Sequence, residues 1–272
     1  MIQFRNVNFA YDERPILKDI SLDISSEESL VIMGPSGSGK STILRLLLGL
    51  DCPQSGTILV NGRDICRMKE KEKAEVRQRI GMVFQDGALF DSLTVGENVG
   101  YYLLELTRTP IEEVEKRVRE MLGFVGLDPD QVIDQLPDQL SGGMQRRVAI
   151  ARALVSTNPQ IMLYDEPTTG LDPQAIENVL TLINKLSATK KISSIMVTHQ
   201  IVDAFSVADR FIVVDEGEKV FDGSPEELRA SEDKQVQAFL APFQGSFEMV
   251  NRKRYQHGEI KERRQDRPGD TQ

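Results

Sequence analysis

The residues with the most chemical meaning form one run, Gly34-Pro35-Ser36-Gly37-Ser38-Gly39-Lys40-Ser41-Thr42. It fits the pattern G-x-x-x-x-G-K-[ST], whose glycines let successive backbone N–H groups turn inward around a phosphate. The apolar run Leu30–Met33 precedes it and a helical pattern, Thr42–Leu50, follows. The loop would therefore open a helix, whose N-terminus adds partial positive charge. Lys40 is placed to neutralise the outer phosphates of a nucleoside triphosphate, and the Ser41 hydroxyl to ligate Mg2+. A Gly/Ser-rich turn serving only to connect strand and helix would not require that lysine.

Ile161-Met162-Leu163-Tyr164-Asp165-Glu166 is a second element, an apolar strand ending in paired acids. Adjacent acids at a strand end are commonplace by themselves. Beside a phosphate loop, Asp165 is suited to the metal's water shell and Glu166 to orienting or deprotonating an attacking water. His199 follows the apolar strand Ser193–Thr198, where parallel strands deliver functional side chains. A lone histidine there is more often structural. With a phosphate site nearby it could bond the γ-phosphate and the water, whereas His257 lies in the C-terminal stretch and carries no signal. Tyr11, 23 positions before the phosphate loop, offers a ring that could stack on a nucleotide base or pack on a sheet edge.

Leu140-Ser141-Gly142-Gly143-Met144-Gln145-Arg146-Arg147 combines a serine, glycine amides and a helix start. Ser141, Gly142 and Gly143 thus make a second anion-binding element. One phosphate loop already serves a triphosphate. A second element suggests a nucleotide sandwiched between two chains, each lending this segment to the other.

These residues need a scaffold of buried strands and flanking helices. Short apolar runs alternate with helical patterns, as in an α/β domain with a partly parallel sheet. Ile2–Phe9, Ile20–Ile24, Leu30–Met33 and Thr57–Val60 read as strands, the last followed by the turn signal Asn61-Gly62. The charged stretch Arg67–Arg79 reads as a solvated helix face, before the apolar run Ile80–Phe84. Val95–Leu106 and Ile111–Val125 read as helices, and no strand is expected between Gln85 and Gln139. A helical insert would interrupt the sheet there. Helices Gly143–Val155, Pro173–Ser187 and Ile201–Val207 then alternate with strands Ile161–Tyr164, Ser193–Thr198 and Phe211–Val214. A hairpin at Glu216-Gly217 leads to Lys219–Phe221, and Ser224-Pro225-Glu226-Glu227 starts a further helix.

The 272 residues can bury a core without disulfides or metals, and Cys52 and Cys66 alone make no disulfide framework, pointing to a reducing compartment. With 33 Lys and Arg against 42 Asp and Glu, the net charge of −9 argues against nucleic acid as the main partner. The N-terminus lacks a signal-peptide pattern, and no apolar run reaches the roughly 20 residues needed to cross a bilayer. From Asn251 to Gln272, seven basic residues face four acidic ones, and almost nothing is apolar. Disorder is the default for that composition, a clasp on a partner the sharper reading, and a lipid-surface anchor a third.

GPSGSGKST, Gln85 in VFQDGALF, LSGGMQRR, IMLYDEP, TTGLDP and VTHQ occur in the order seen in ABC-transporter ATPase subunits, which the chain resembles from Tyr11 to about Gly223. The resemblance implies an ABC-type P-loop NTPase: a RecA-like mixed sheet core, an N-terminal antiparallel β subdomain and an inserted helical subdomain at about 86–155. The ATPase domain would span 1–243, with 244–272 a charged extension. Family behaviour implies head-to-tail dimers with two ATPs at the interface. Ser141, Gly142 and Gly143 would meet the γ-phosphate held by the partner's Lys40 loop, and Asp172 would link the two sites. Gln85 would contact Mg2+ and the water, and relay occupancy to a helical insert touching two membrane permease subunits.

FQDGALFDSLTVGENV and LSGGMQRRVAIARAL are similar to the ATPase of MCE-type phospholipid transporters, the maintenance-of-lipid-asymmetry system of Gram-negative envelopes. That subgroup implies a peripheral place on the cytoplasmic face of the inner membrane, an MCE substrate-binding protein and a small STAS-domain protein. Met144 stands where glutamine is commoner, after the anion-binding amides. The competing readings are the ATPase of an amino-acid or other small-solute importer, and a soluble ABC-type ATPase working on DNA or ribosomes. The second of these usually has two cassettes or a coiled coil before the signature, and neither is seen here.

Overall fold

The computed structural model describes residues 2–155 and 159–246. Alternation of apolar and polar residues shapes the N-terminal part. Strands β1 (Ile2–Tyr11) and β2 (Arg14–Ile24) bury Phe4, Val7, Leu17 and Ile20 and turn their neighbours outward. They form a hairpin across Asp12 and Glu13, with Tyr11 opposite Arg14. The second strand thus begins six residues before the expected Ile20, its first residues being exposed and giving little apolar signal. Next come β3 (Ser29–Met33), α1 (Lys40–Leu47), β4 (Ser55–Val60) and β5 (Arg63–Asp64). One sheet is antiparallel, in the order β2-β1-β4-β5.

The charged stretch forms α2 (Glu70–Arg77), which buries no residue, and β6 (Ile80–Val83) follows. No strand lies between Gln85 and Gln139, where α3 (Val95–Leu106), α4 (Ile111–Phe124) and α5 (Pro129–Val132) stand before α6 (Gly142–Val155). Val114, Val118 and Leu122 of α4 recur at four-residue spacing and pack close to α3, because Gly100 leaves room there. A Cβ on Gly100 would meet the methyls of Val114 and Val118 at 3.1 and 3.2 Å.

The chain continues through β7 (Ile161–Asp165), α7 (Pro173–Lys190), β8 (Ser193–Thr198), α8 (Ile201–Val207), β9 (Arg210–Asp215) and β10 (Glu218–Gly223). The second sheet runs β10-β9-β3-β8-β7-β6, parallel throughout except for β10. Strands β3 and β8 are buried along their whole lengths, as a central parallel strand covered on both faces must be. Val31 and Met33 enter one apolar cluster with the helical insert and α7, while Leu30 and Ile32 enter the other with α1 and the antiparallel sheet. Helices α9 (Pro225–Ala230) and α10 (Lys234–Leu240), the latter not expected, add Leu228, Val236 and Leu240 to the first cluster, before a last 3-10 turn at Ala241–Ser246.

One expectation is corrected. Cys52, in the loop after α1, and Cys66, in the turn after β5, have Cα atoms 5.8 Å apart and are joined as a disulfide. A cysteine count says nothing of distance, so it does not assign a compartment. The clasp expected of the C-terminal extension, and His257, lie outside the described residues.

Candidate active site

Parallel strands bring their C-terminal ends to one edge of a sheet, and four neighbours in the order β3-β8-β7-β6 place chemistry there. Strand β3 runs into Gly34, β8 into His199, β7 through Asp165 into Glu166, and β6 ends two residues before Gln85.

The loop after β3 winds around its own lysine. Lys40, 7% exposed, donates from Nζ to the carbonyls of Gly34 (2.9 Å) and Pro35 (2.8 Å). Burial lowers the pKa of its ammonium, while Glu166 and Asp165 act the other way. The Ser38 hydroxyl is buried and has no hydrogen-bond partner. Gly39 has φ +105°, and a Cβ there would meet Leu17 Cδ2 at 2.5 Å and the Ile16 carbonyl at 3.0 Å. A phosphate suits this cradle, since it offers oxygens to an ammonium now held by carbonyls and to an orphaned hydroxyl. Pro35 and Ser36 are exposed at the rim, Gly37 has φ +80° with open space at its Cβ position, and Thr42 is buried in the first turn of α1.

Ser41 Oγ donates to Asp165 Oδ1 at 3.1 Å. Burial raises the Asp165 pKa, Glu166 adds to this, and Ser41 and Lys40 oppose it. Two adjoining oxygen donors fit Mg2+, which keeps phosphate oxygens and waters rather than a closed protein cage. Among the described residues no group of three or more His, Cys, Asp and Glu forms such a cage.

Glu166 adopts the left-handed region at φ +49°, a strain of ~1–3 kcal/mol for a non-glycine residue. Its N–H donates to the Val197 carbonyl at 2.9 Å, which holds the turn against β8. Oε2 accepts from the Thr169 hydroxyl (3.1 Å) and the Thr198 hydroxyl (3.2 Å), and Oε1 meets His199 Nδ1 at 2.8 Å. The Thr198 oxygen itself accepts from Gln200 N at 3.0 Å, leaving its proton for Glu166. The Glu166 side chain is 12% exposed and that of His199 51%. Sequence reasoning overlooked Thr169 and Thr198. The signal for Thr169 was its place three residues after Glu166, within one turn.

Tyr11 is 44% exposed, with Phe9 edge-on at 4.8 Å and its hydroxyl donating to Asp51 Oδ2 at 3.3 Å. Arg45 Nε donates to the same Asp51 oxygen at 2.6 Å and holds that carboxyl below the usual range. The ring is anchored at its hydroxyl while much of it stays open to solvent. Gln85 is exposed.

Ser141 and Gly142 are exposed at the start of α6, where the Ser141 oxygen accepts from Met144 N at 3.3 Å. Gly143 is buried against α7, and a Cβ on it would meet Ala175 Cβ at 2.6 Å. Asp172 caps α7 through Oδ1, accepting from Gln174 N and Ala175 N at 3.0 Å each. Ser141–Gly143 and Asp172 therefore share one corner. Among the described residues, no hydrogen bond or ion pair links Ser141, Gly142 or Gly143 to Lys40, Asp165 or Glu166.

The ABC transporter family pattern matches residues 17–169. Over 240 residues the chain is 37% identical to the intermembrane phospholipid transport system ATP-binding protein MlaF of Haemophilus influenzae, covering 88% of this chain and 90% of that one. Over 232 residues it is 40% identical to the methionine import ATP-binding protein MetN 1 of Staphylococcus aureus strain N315, covering 84% and 67% respectively. A solved dimeric ATP-binding cassette in a post-hydrolysis state, bound to ADP and Pi, superimposes with a TM-score of 0.75 at 36% identity. That match covers 82% of this chain and 98% of the other.

Proposed function

The chain belongs to the ABC transporter family as an ATP-hydrolysing subunit, and on that premise we propose that two copies, joined head to tail, drive phospholipid transport through membrane permease subunits. The observation that carries the composite site is the separation of its parts. Lys40, Ser41, Asp165, Glu166 and His199 converge at one sheet edge, whereas Ser141 and Gly142 are exposed at the start of α6 with no bond to that edge. A second chain would bring the missing half. The relative bound to ADP and Pi is dimeric, which supports this arrangement.

In this reading the backbone N–H groups of Ser36–Gly39 and the Lys40 ammonium hold the β- and γ-phosphates, and Tyr11 stacks on the base. Ser41, Asp165 and Gln85 would hold Mg2+, which neutralises phosphate charge when bound. Glu166 takes a proton from a water as its oxygen attacks the γ-phosphorus, and the bond to the β-phosphate oxygen breaks to leave ADP and phosphate. His199, oriented through Nδ1 by Glu166, presents Nε2 to the γ-phosphate. The partner's Ser141, Gly142 and Gly143 would close over the same phosphate, with Asp172 linking the two sites.

Phe90, Tyr101 and Leu104 on the helical insert, and Phe84 just before Gln85, are 37–44% exposed, and the Phe90 and Tyr101 rings lie 4.7 Å apart. An apolar patch of this kind suits docking by a permease at about Gln85–Tyr102. Family membership and the MlaF relative support peripheral attachment at the cytoplasmic face of the inner membrane. Among the described residues no helix is long and apolar enough to cross a membrane. The MlaF relative supports the phospholipid reading. An MCE protein and a STAS-domain protein, which only the sequence resemblance implies, would be further partners. The MetN relative, at 40% identity, favours amino-acid import as the second reading. Gentle-detergent purification of the tagged chain decides between them. The expected catch is a permease carrying phospholipid; a permease whose coupled ATPase responds to methionine would replace this reading with the second.

Lys40→Ala is expected to weaken ATP binding about 10- to 100-fold, the worth of a charge-assisted hydrogen bond in a buried setting. Titration with a fluorescent ATP analogue checks it. Unchanged affinity would remove Lys40 from the phosphates.

A further inference from the structure

We propose that Arg152 and Arg146 are positioning residues for Gln85, gripping the backbone on either side of it so that Gln85 travels with α6. This rests on the role given to Gln85 above, and adds the means by which its place is set. Past the end of β6 the chain takes two successive left-handed residues, Gly87 (φ +74°) and Ala88 (φ +47°). Such a conformation at a non-glycine residue persists only where its surroundings hold it. Here one guanidinium holds both peptides. Arg152 donates from Nη2 to the Gly87 carbonyl (2.8 Å) and from Nη1 to the Ala88 carbonyl (2.7 Å), across more than sixty positions of sequence. The same guanidinium lies over the Phe90 ring at 5.9 Å.

On the other side of Gln85, Arg146 donates from Nη1 to the Phe84 carbonyl. Only 5% of Arg146 is exposed, and its Nε is buried without a hydrogen-bond partner. Burial lowers its pKa, opposed only by the nearby Asp86. A buried cation left partly unsatisfied costs stability, so what it holds matters. Beyond Ala88 the loop is fastened by Asn98 of α3, which is fully buried. It accepts from Phe90 N at 2.8 Å and donates to the carbonyls of Phe90, Leu93 and Thr94 at 3.0 Å each. The segment from Phe84 to Thr94 is thus tied to the helical insert at both ends, and it joins the sheet through β6.

The mechanical consequence follows from the shared helix. Ser141–Gly143 lead into α6 and would face the partner's nucleotide, while later turns of the helix hold the backbone around Gln85, which serves the chain's own nucleotide. A shift of α6 on dimer closure would therefore reach both sites. Only arginine suits position 152, because its planar fork bonds two carbonyls at once and a lysine ammonium is a single point charge on a flexible stem.

The test is a double-mutant cycle on the full-length chain, measuring ATPase rate, KM for ATP and the Mg2+ concentration for half-maximal rate. Arg152→Met is expected to lower kcat about tenfold or more, with KM for ATP changed less than about twofold and a higher Mg2+ requirement. Arg152→Lys should recover part of the loss. It also serves if the methionine variant does not fold. In a Gln85→Ala background, Arg152→Met should cost less than about twofold further, because the residue it positions is already gone. Full multiplicative losses in the double variant would overturn the proposal while leaving Gln85 its role. A Gln85→Ala variant as active as wild type would overturn both.

Discussion

Glu166→Gln is expected to slow ATP turnover by about 10²- to 10⁴-fold, the range a positioned general base supplies, with ATP affinity kept within about threefold. The substitution suits the surroundings. The amide oxygen can face the hydroxyls of Thr169 and Thr198, both donors toward Oε2, and the amide NH2 can donate to His199 Nδ1 in place of the present contact. No buried group is stranded and the turn at Glu166 stays pinned by its N–H to Val197, so folding is not the variable. What would be lost is the proton acceptor that the proposed mechanism requires. Because binding persists while hydrolysis stalls, ATP should drive the variant into a stable dimer. Phosphate release, nucleotide titration and size-exclusion chromatography with ATP check the three parts. A wild-type rate would show that another group, or none, takes the proton.

The legible part of this molecule is the part whose signal is contiguous. Strands β3 and β8 are buried along their lengths, so their apolar residues stand in unbroken runs, and each run ends on a residue of the site. Helix α3 has the bounds expected from its pattern, because Thr94 caps it with Glu97 in a capping box. The start of β2 was hidden because Arg14 and Pro15 are exposed at the hairpin and carry no apolar alternation. Pairings between distant segments leave no mark in either segment alone. Thr198 was read as the last residue of a strand, and only the register of β7 beside β8 turns its hydroxyl onto Glu166. The Cys52–Cys66 link and the grip of Arg152 on Gly87 and Ala88 are of the same kind.

Two inactive variants are expected to rescue each other. Lys40→Ala removes the ammonium from the phosphate loop, and Ser141→Glu sets a carboxylate where the partner's triphosphate would arrive. Ser141 is exposed at the start of α6, and an acid at a helix N-terminus is compatible with folding through the helix dipole. Its harm falls on the site it completes. In a head-to-tail pair related by a two-fold axis, each site takes the loop of one chain and the α6 corner of the other. A mixed dimer therefore collects both defects in one site and leaves the second wholly wild type. Random assembly at equal amounts makes half the dimers mixed, each with one sound site of two, so about a quarter of wild-type activity should return. Phosphate release across mixing ratios should trace an arch that peaks at equal amounts and falls to nothing at either pure variant. If activity stays at the sum of the two variants while mass measurement finds mixed dimers, each site is built within one chain. If firing one site requires the other to be sound, the arch keeps its shape but sinks well below a quarter, and its height then measures how strongly the two sites depend on each other.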